Sequence, residues 1–323
     1  MKPKVFVTRP LPAPALELLS SACKVRSYPE DAAIPVAQLA EACREVEGIL
    51  VNSARVNEEV LAAAPRLRAI SNCGVGYDNI DVAACNRRRI PVTNIAGSLE
   101  ETTADLAFAL LLSTARRVAE ADRYVREGQW KRWQSGLLHG LDVHHKTLGL
   151  LGFGGIGQLM ARRGRGFSMR VLYHARRRAA ESVESELHAE YVDLETLLQE
   201  SDFVSLHVPL KPETRHLING KAFSLMKSTA ILVNTARGPV VDEAALVEAL
   251  RSGKIAGAGL DVFEHEPRVN PELTGMDQVV LAPHIGSATG ETRLRMAILA
   301  VKNLLALLAG ERPFNIVNPE IYS

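Results

Sequence analysis

The sequence predicts an α/β protein built from two doubly wound parallel-sheet domains, and three observations carry that expectation. Short apolar runs alternate with amphipathic stretches in two successive series, which is the pattern of parallel strands covered by helices on both faces. A glycine-rich turn stands near the start of the second series. The length of 323 residues exceeds one comfortable core and suits two domains of ordinary size.

Composition narrows the function classes. A hydrophobic share of 47% with 23% charged residues is that of a soluble globular chain. Lysine and arginine number 38 against 37 acids, a net charge of +1, which argues against a broad nucleic-acid surface and makes any anion site local. The cysteines, Cys23, Cys43, Cys73 and Cys85, match no zinc spacing and no dense disulfide framework. Buried free thiols in the cytoplasm and no bound metal are therefore expected. The start "MKPKVFVTRP" passes straight into a strand-like run rather than an export signal. The apolar stretch "LAFALLLSTA" at 106–115 is about half of a bilayer span and reads as a core helix, so no membrane partner is expected.

In chain order, the first series reads as strand "KVFVT", helices over 13–22 and 36–46, strand "GILV", a helix over 58–64 and strand "LRAISN". A helix over 99–127 follows, introduced by "NIAGS", with Ser98 as N-cap and Glu101 three residues on. The second series opens at Thr147 with runs "TLGLLGF", "RVLYHA", "FVSLHVP", "AILVNTA", "GAGLDVF" and "VVLAP". These near-continuous apolar strands are those of a sheet buried on both faces. A helix over 291–309 then carries the chain back to the first domain. The predicted division is residues 1–98 with 287–323 as a substrate-binding domain and 99–286 as a dinucleotide-binding domain.

Gly152, Gly154 and Gly157 in "GFGGIG" satisfy G-x-G-x-x-G directly after a strand and open a helix. The first permits the tight turn, the second removes a side chain where a pyrophosphate approaches, and the third lets helix pack on strand. The helix N-terminal amides, at Gly155 and Ile156, then hold the phosphates. In such a Rossmann-like unit an acid about 20 residues on accepts the ribose hydroxyls of NAD. Here the second strand ends in "VLYHARRR". No carboxylate stands there, and the guanidinium groups of Arg176 and Arg177 suit a 2′-phosphate, so NADP(H) is expected in preference to NAD(H). A solvated basic turn is the alternative reading for Arg178, and fits Arg176 and Arg177 less well.

Three later segments place a polar group at the C-terminal end of an apolar strand: Arg237 in "VNTARG", Glu266 in "DVFEHEP" and His284 in "APHIGSAT". Hydride reduction of a keto acid needs a proton donor, a cation for carboxylate and carbonyl, and a carboxylate that keeps the donor protonated. Histidine, arginine and glutamate suit those roles in turn.

Together with "GVGYDNID" at 74–81 and "TADLAFALLL" from Thr103, these motifs resemble the D-isomer-specific 2-hydroxyacid dehydrogenase family over nearly the whole chain. The resemblance implies an active site in the cleft between the two domains and a homodimer made through the dinucleotide-binding domain. It implies His284 as acid in reduction and base in oxidation, Glu266 as its partner, Arg237 as substrate clamp, and the amides of Val75 and Gly76 as receivers of the substrate carboxylate. The family's catalytic acid directly precedes a proline, which selects Glu266 and leaves Glu264 and His265 as surface neighbours. Asp261 is expected at the nicotinamide end, with Thr103, His207, Pro209, Thr235, Ala236 and Gly286 lining the coenzyme.

Within the family the chain resembles the glyoxylate and hydroxypyruvate reductases, several of which carry an arginine-rich tip and use NADPH. It shares with them a tryptophan pair, Trp130 and Trp133 in "EGQWKRWQSG". In relatives an aromatic from this segment reaches the partner's pocket; Trp133 is the candidate, with a dimer-interface anchor as the alternative. The loop "LVNSARVNEE" at 50–59 looks shorter than in those reductases, which makes Asn52, Ser53 and Arg55 the expected determinants of substrate choice. Phosphite dehydrogenases carry lysine where Val75 stands, which disfavours that reaction. The expected activity is NADPH-dependent reduction of glyoxylate or hydroxypyruvate to the D-2-hydroxy acid. The alternatives are a corepressor-like dinucleotide sensor and a dehydrogenase for 2-ketogluconate or another D-2-hydroxy acid.

Overall fold

The alternating apolar runs form two separate, wholly parallel sheets in the computed structural model, which describes residues 1–322. The chain divides into two compact units, Met1–Leu99 with Ala288–Ser323, and Glu100–Ser287.

In the first unit the strands are β1 (Lys4–Val7), β2 (Lys24–Ser27), β3 (Gly48–Val51), β4 (Ala69–Asn72) and β5 (Val92–Thr93), in the order β2-β1-β3-β4-β5. The apolar strands β3 and β4 are buried throughout because helices cover both faces. The helix Gly290–Leu308 supplies one cover, presenting Met296, Ala300, Leu304 and Leu307 at helical spacing to Val5, Val7 and Leu50. Thr289 caps it by accepting the Thr292 amide at 3.2 Å.

The second unit holds β6 (Thr147–Leu151), β7 (Arg170–His174), β8 (Ala189–Tyr191), β9 (Phe203–Leu206), β10 (Ile231–Asn234), β11 (Gly257–Leu260) and β12 (Val279–Leu281). Their order is β12-β11-β10-β9-β6-β7-β8. The chain winds outward from β6 to β8 and then crosses to β9 on the other side of β6. That reversal creates a switch point at the C-terminal ends of β6 and β9, the crevice where open α/β sheets bind ligands.

The helical stretch anticipated over 99–127 is two helices, Glu100–Ala115 and Val118–Arg126. The Ala115 carbonyl accepts the Leu141 amide at 2.8 Å, and Arg117 turns to the left-handed φ of 52°. Its guanidinium there grips Glu120 through two 2.7 Å bonds. Ser98 does not cap the first helix: its hydroxyl donates back to Ile95 O at 2.7 Å. Among the described residues no helix is long and apolar enough to cross a membrane.

Candidate active site

The glycine loop joins β6 to the helix Gly155–Gly166. Gly152 sits at φ +99°, and a Cβ there would lie 2.6 Å from the His207 carbonyl, so only glycine lets β6 and the end of β9 approach this closely. A Cβ on Gly157 would lie 2.3 Å from Gly152 O, which explains the third glycine. Gly154 differs: a Cβ there would meet nothing within 4 Å, and the helix it opens has no capping side chain. Gly154 and Gly155 are exposed and Ile156 is half-buried.

Further along the same sheet edge, His207 follows β9, its Nε2 bonded to Ser205 Oγ at 2.9 Å while Nδ1 is buried without a partner among the described residues. Burial pushes its imidazole down to about 3, so it is neutral at physiological pH. Pro209 is exposed. Thr235 follows β10 with its hydroxyl likewise buried and unpartnered, and Ala236 accepts a 2.8 Å bond from Arg237 Nη1. At the β7 tip Arg176 and Arg177 are exposed, whereas Arg178 is tied to Glu184.

His284, three residues beyond β12, places Nδ1 2.8 Å from Glu266 Oε2, and the other Glu266 oxygen accepts the Phe263 amide at 3.0 Å. The turn carrying His284 is held chiefly by Asp261, with the His284 amide also 3.1 Å from the Ala282 carbonyl. The Asp261 carbonyl accepts the His284 amide at 2.9 Å, its Oδ1 the Ile285 amide at 2.7 Å and its Oδ2 the Gly286 amide at 2.8 Å. Three successive amides on one residue hold His284 at φ 55°, the left-handed region that few residues with a side chain adopt. Asp261 is buried with both oxygens engaged, so its observed task is to shape this turn. A Cβ on Gly286 would stand 3.4 Å from Thr103, which is buried beside it.

Arg237 and Glu266 lie on loops in backbone contact, since a Cβ on Gly238 would lie 1.9 Å from the Phe263 carbonyl carbon. Glu264 is not the surface neighbour anticipated. Its side chain is 11% exposed and binds His216 Nε2 at 2.6 Å and Arg215 Nη2 at 3.1 Å. Its amide donates to Glu243. These residues anchor the loop from beneath, and only the acidic pair around His265 hinted at them.

In the other unit, Val75 and Gly76 follow β4. Asn72 Nδ2 donates to Gly74 O at 3.1 Å and Gly76 O at 2.8 Å, and Asn94 Nδ2 donates to Val75 O at 3.0 Å. The loop's carbonyls are thereby occupied by buried or half-buried asparagines. Asn52 and Ser53 follow β3, the Asn52 amide donating to Thr8 Oγ1 at 2.7 Å and the Ser53 hydroxyl to Asn52 Oδ1 at 3.2 Å. Trp133 is 79% exposed.

The residues around the glycine loop fit a dinucleotide. Open space beside Gly154 and an uncapped helix N-terminus suit a pyrophosphate. The Thr235 hydroxyl and His207 Nδ1 are buried polar atoms that lack partners among the described residues.

A doubly wound sheet that reserves room for a pyrophosphate and bears a carboxylate-held histidine on the same edge defines a nicotinamide-dinucleotide oxidoreductase. Residues 108–286 match the family model of the D-isomer specific 2-hydroxyacid dehydrogenase NAD binding domain. The chain is 50% identical to a glyoxylate reductase of Thermococcus litoralis, over 99% of this chain and 98% of that protein. Among solved structures, a Thermus thermophilus protein superposes with a TM-score of 0.90 at 45% identity, over 97% of this chain and 99% of its own. An NADPH-dependent glyoxylate/hydroxypyruvate reductase from Sinorhizobium meliloti, in complex with NADP and malonate, gives 0.89 at 34% identity, over 98% and 97%. The chain belongs to the D-isomer specific 2-hydroxyacid dehydrogenase family and is of the glyoxylate reductase type, an NAD(P)-dependent enzyme that reduces a 2-keto acid.

Proposed function

We propose that the protein reduces glyoxylate or hydroxypyruvate to the D-2-hydroxy acid, using NADPH in preference to NADH, with His284 as the proton donor. The observation that carries this reading is the 2.8 Å contact between His284 Nδ1 and Glu266 Oε2 on the sheet edge that bears the glycine loop. Burial pushes the Glu266 carboxyl up. The His284 hydrogen bond and charge, the Phe263 amide and the Arg237 charge outweigh it and hold the group below the usual carboxylate range. An ionised carboxylate only accepts, so Nδ1 carries a proton and Nε2 is the ring atom left for the substrate.

The coenzyme, when bound, supplies the hydride. In reduction, His284 Nε2 gives its proton to the carbonyl oxygen as negative charge develops there; in oxidation it takes that proton back. The ion pair with Glu266 orients the ring and offsets the imidazolium charge. The Arg237 guanidinium binds the carbonyl and carboxylate oxygens, and the amides of Val75 and Gly76 take the carboxylate. Asn52, Ser53 and Arg55 set the choice among keto acids.

For the coenzyme, Arg176 and Arg177 at an acid-free strand tip support a 2′-phosphate site, and the Sinorhizobium meliloti relative is named as NADPH-dependent. Asp261, Thr103, Gly286, His207, Pro209, Thr235 and Ala236 complete the coenzyme's surroundings. The assembly proposed is a homodimer through the Glu100–Ser287 unit, supported by exposed Val118, Val125, Trp130 and Trp133 and by a helix Val118–Arg126 with no buried residue. Four free, buried cysteines support a cytoplasmic setting. The test is a steady-state panel of glyoxylate, hydroxypyruvate, pyruvate and 2-ketogluconate with each coenzyme. Glyoxylate or hydroxypyruvate with NADPH should give the highest kcat/KM; turnover with none of the four would overturn the reading.

A further inference from the structure

Three arginines follow β7, and one of them is committed to the turn itself. Arg178 Nε and Nη2 donate to Glu184 Oε1 and Oε2 at 2.9 and 2.8 Å, a bidentate fork. Glu184, in the helix Glu181–Leu187, has a side chain 10% exposed and also accepts a hydrogen bond from the Tyr173 hydroxyl. Tyr173 is fully buried, stacks on Phe153 of the glycine loop at 3.9 Å, and its oxygen accepts the Ala179 amide at 2.9 Å. At the turn's other end, Tyr191 Oη donates to Ala175 O at 3.4 Å, and the Arg178 guanidinium lies 6.0 Å over the Tyr191 ring. The turn 175–179 is thus tied at both ends. Arg176 and Arg177 are exposed and make no hydrogen bond or ion pair among the described residues.

We infer that Glu184, with Tyr173 beneath it, is a specificity-determining positioning residue: it fixes the turn so that Arg176 and Arg177 are already ordered for a 2′-phosphate. The inference rests on the NADPH reading above. A guanidinium recognises phosphate through directed, planar bonds, so a turn free to move must be ordered at binding, at the expense of affinity for that one group. Releasing Arg178 from Glu184 adds an unpaired exposed cation, whose attraction to a phosphate in solvent is small. Loss of order therefore outweighs the charge gained.

The test is calorimetric titration of the full-length, coenzyme-free protein with adenosine 2′,5′-bisphosphate and with 5′-AMP, which differ only in the 2′-phosphate. Wild type should bind the bisphosphate at least about tenfold more tightly. Glu184→Ala should weaken the bisphosphate about tenfold and leave 5′-AMP within about twofold. Tyr173→Phe keeps the ring stack and changes no charge. It should weaken the bisphosphate alone, about threefold, for the loss of its hydrogen bonds to Glu184 and to the Ala179 amide of the turn, and it carries the test if Glu184→Ala fails to fold. A wild type that holds both ligands equally overturns the coenzyme reading and the clamp with it. With wild-type discrimination intact, the clamp alone is overturned by discrimination that survives both variants, by equal weakening of both ligands, or by tighter bisphosphate binding in Glu184→Ala. A weakening confined to Glu184→Ala, with Tyr173→Phe unchanged, cannot come from charge, since that substitution only makes the turn more positive; it upholds Glu184 as the positioning residue and overturns the part given to Tyr173.

Discussion

Gly154→Ala should separate folding from coenzyme binding. Gly154 has φ −77° and ψ −164°, extended backbone that alanine adopts freely, and the added methyl meets nothing within 4 Å. Removing a glycine from the unfolded chain stabilises by about 0.4–1 kcal/mol where the native conformation is compatible. Alanine is a poorer N-cap than glycine by a similar amount, so the two effects offset. At about 2–4 °C per kcal/mol for a unit of this size, Tm should stay within about 3 °C of wild type. The same methyl occupies the space proposed for a pyrophosphate. Overpacking costs about 1–3 kcal/mol, which corresponds to about 5- to 150-fold weaker NADPH binding. Calorimetric titration with NADPH and a thermal melt on the same sample read both quantities. A Kd within twofold of wild type at unchanged Tm would refute the placement of the phosphates. Gly152→Ala, with φ +99° and the His207 backbone 2.6 Å away, should instead lower Tm.

Arg176→Asp, which adds a ribose acceptor and removes a phosphate clamp, should shift the kcat/KM ratio toward NADH; an unchanged ratio would count against the reading of the tip. Asp261→Asn replaces one accepting oxygen with a donor facing a backbone amide. It should cost about 1–3 kcal/mol of stability by urea titration and lower kcat by loosening the His284 turn; wild-type values of both would refute that role. Burial pushes the Cys43 and Cys85 thiols up to about 12 and Cys73 up to about 11. Their stability contribution is therefore full below about pH 9, where the unfolded chain's thiols are still protonated, and is lost as pH rises toward 11–12. Each thiol then removes about 1.4 kcal/mol per pH unit, and urea midpoints that stay level between pH 9 and 11 would contradict this.

The central strands were legible because burial on both faces demands continuous apolar runs such as "TLGLL" and "ILVN". The short strands β2, β5 and β8 were not, since "KVRS", "VT" and "AEY" form strands through pairing with a neighbouring strand and carry no such signal. The helix break at Arg117 depends on Leu141 reaching Ala115 O, a contact invisible in the local pattern. At the site, residue types at strand ends were readable from sequence, but their supports were not. The carboxylate of Asp261 spans two amides 24 and 25 residues on, and Glu264 meets Arg215 and His216 from 49 and 48 residues away. Charged residues in a local run such as "FEHEP" read as solvated until the fold supplies their partners.

The most direct measurement is the rate of NADPH oxidation with glyoxylate by wild type and by His284→Ala at neutral pH, each first shown to be folded. The proton-donor assignment predicts a fall in kcat of about 10²-fold or more. Turnover by His284→Ala at the wild-type rate would contradict it.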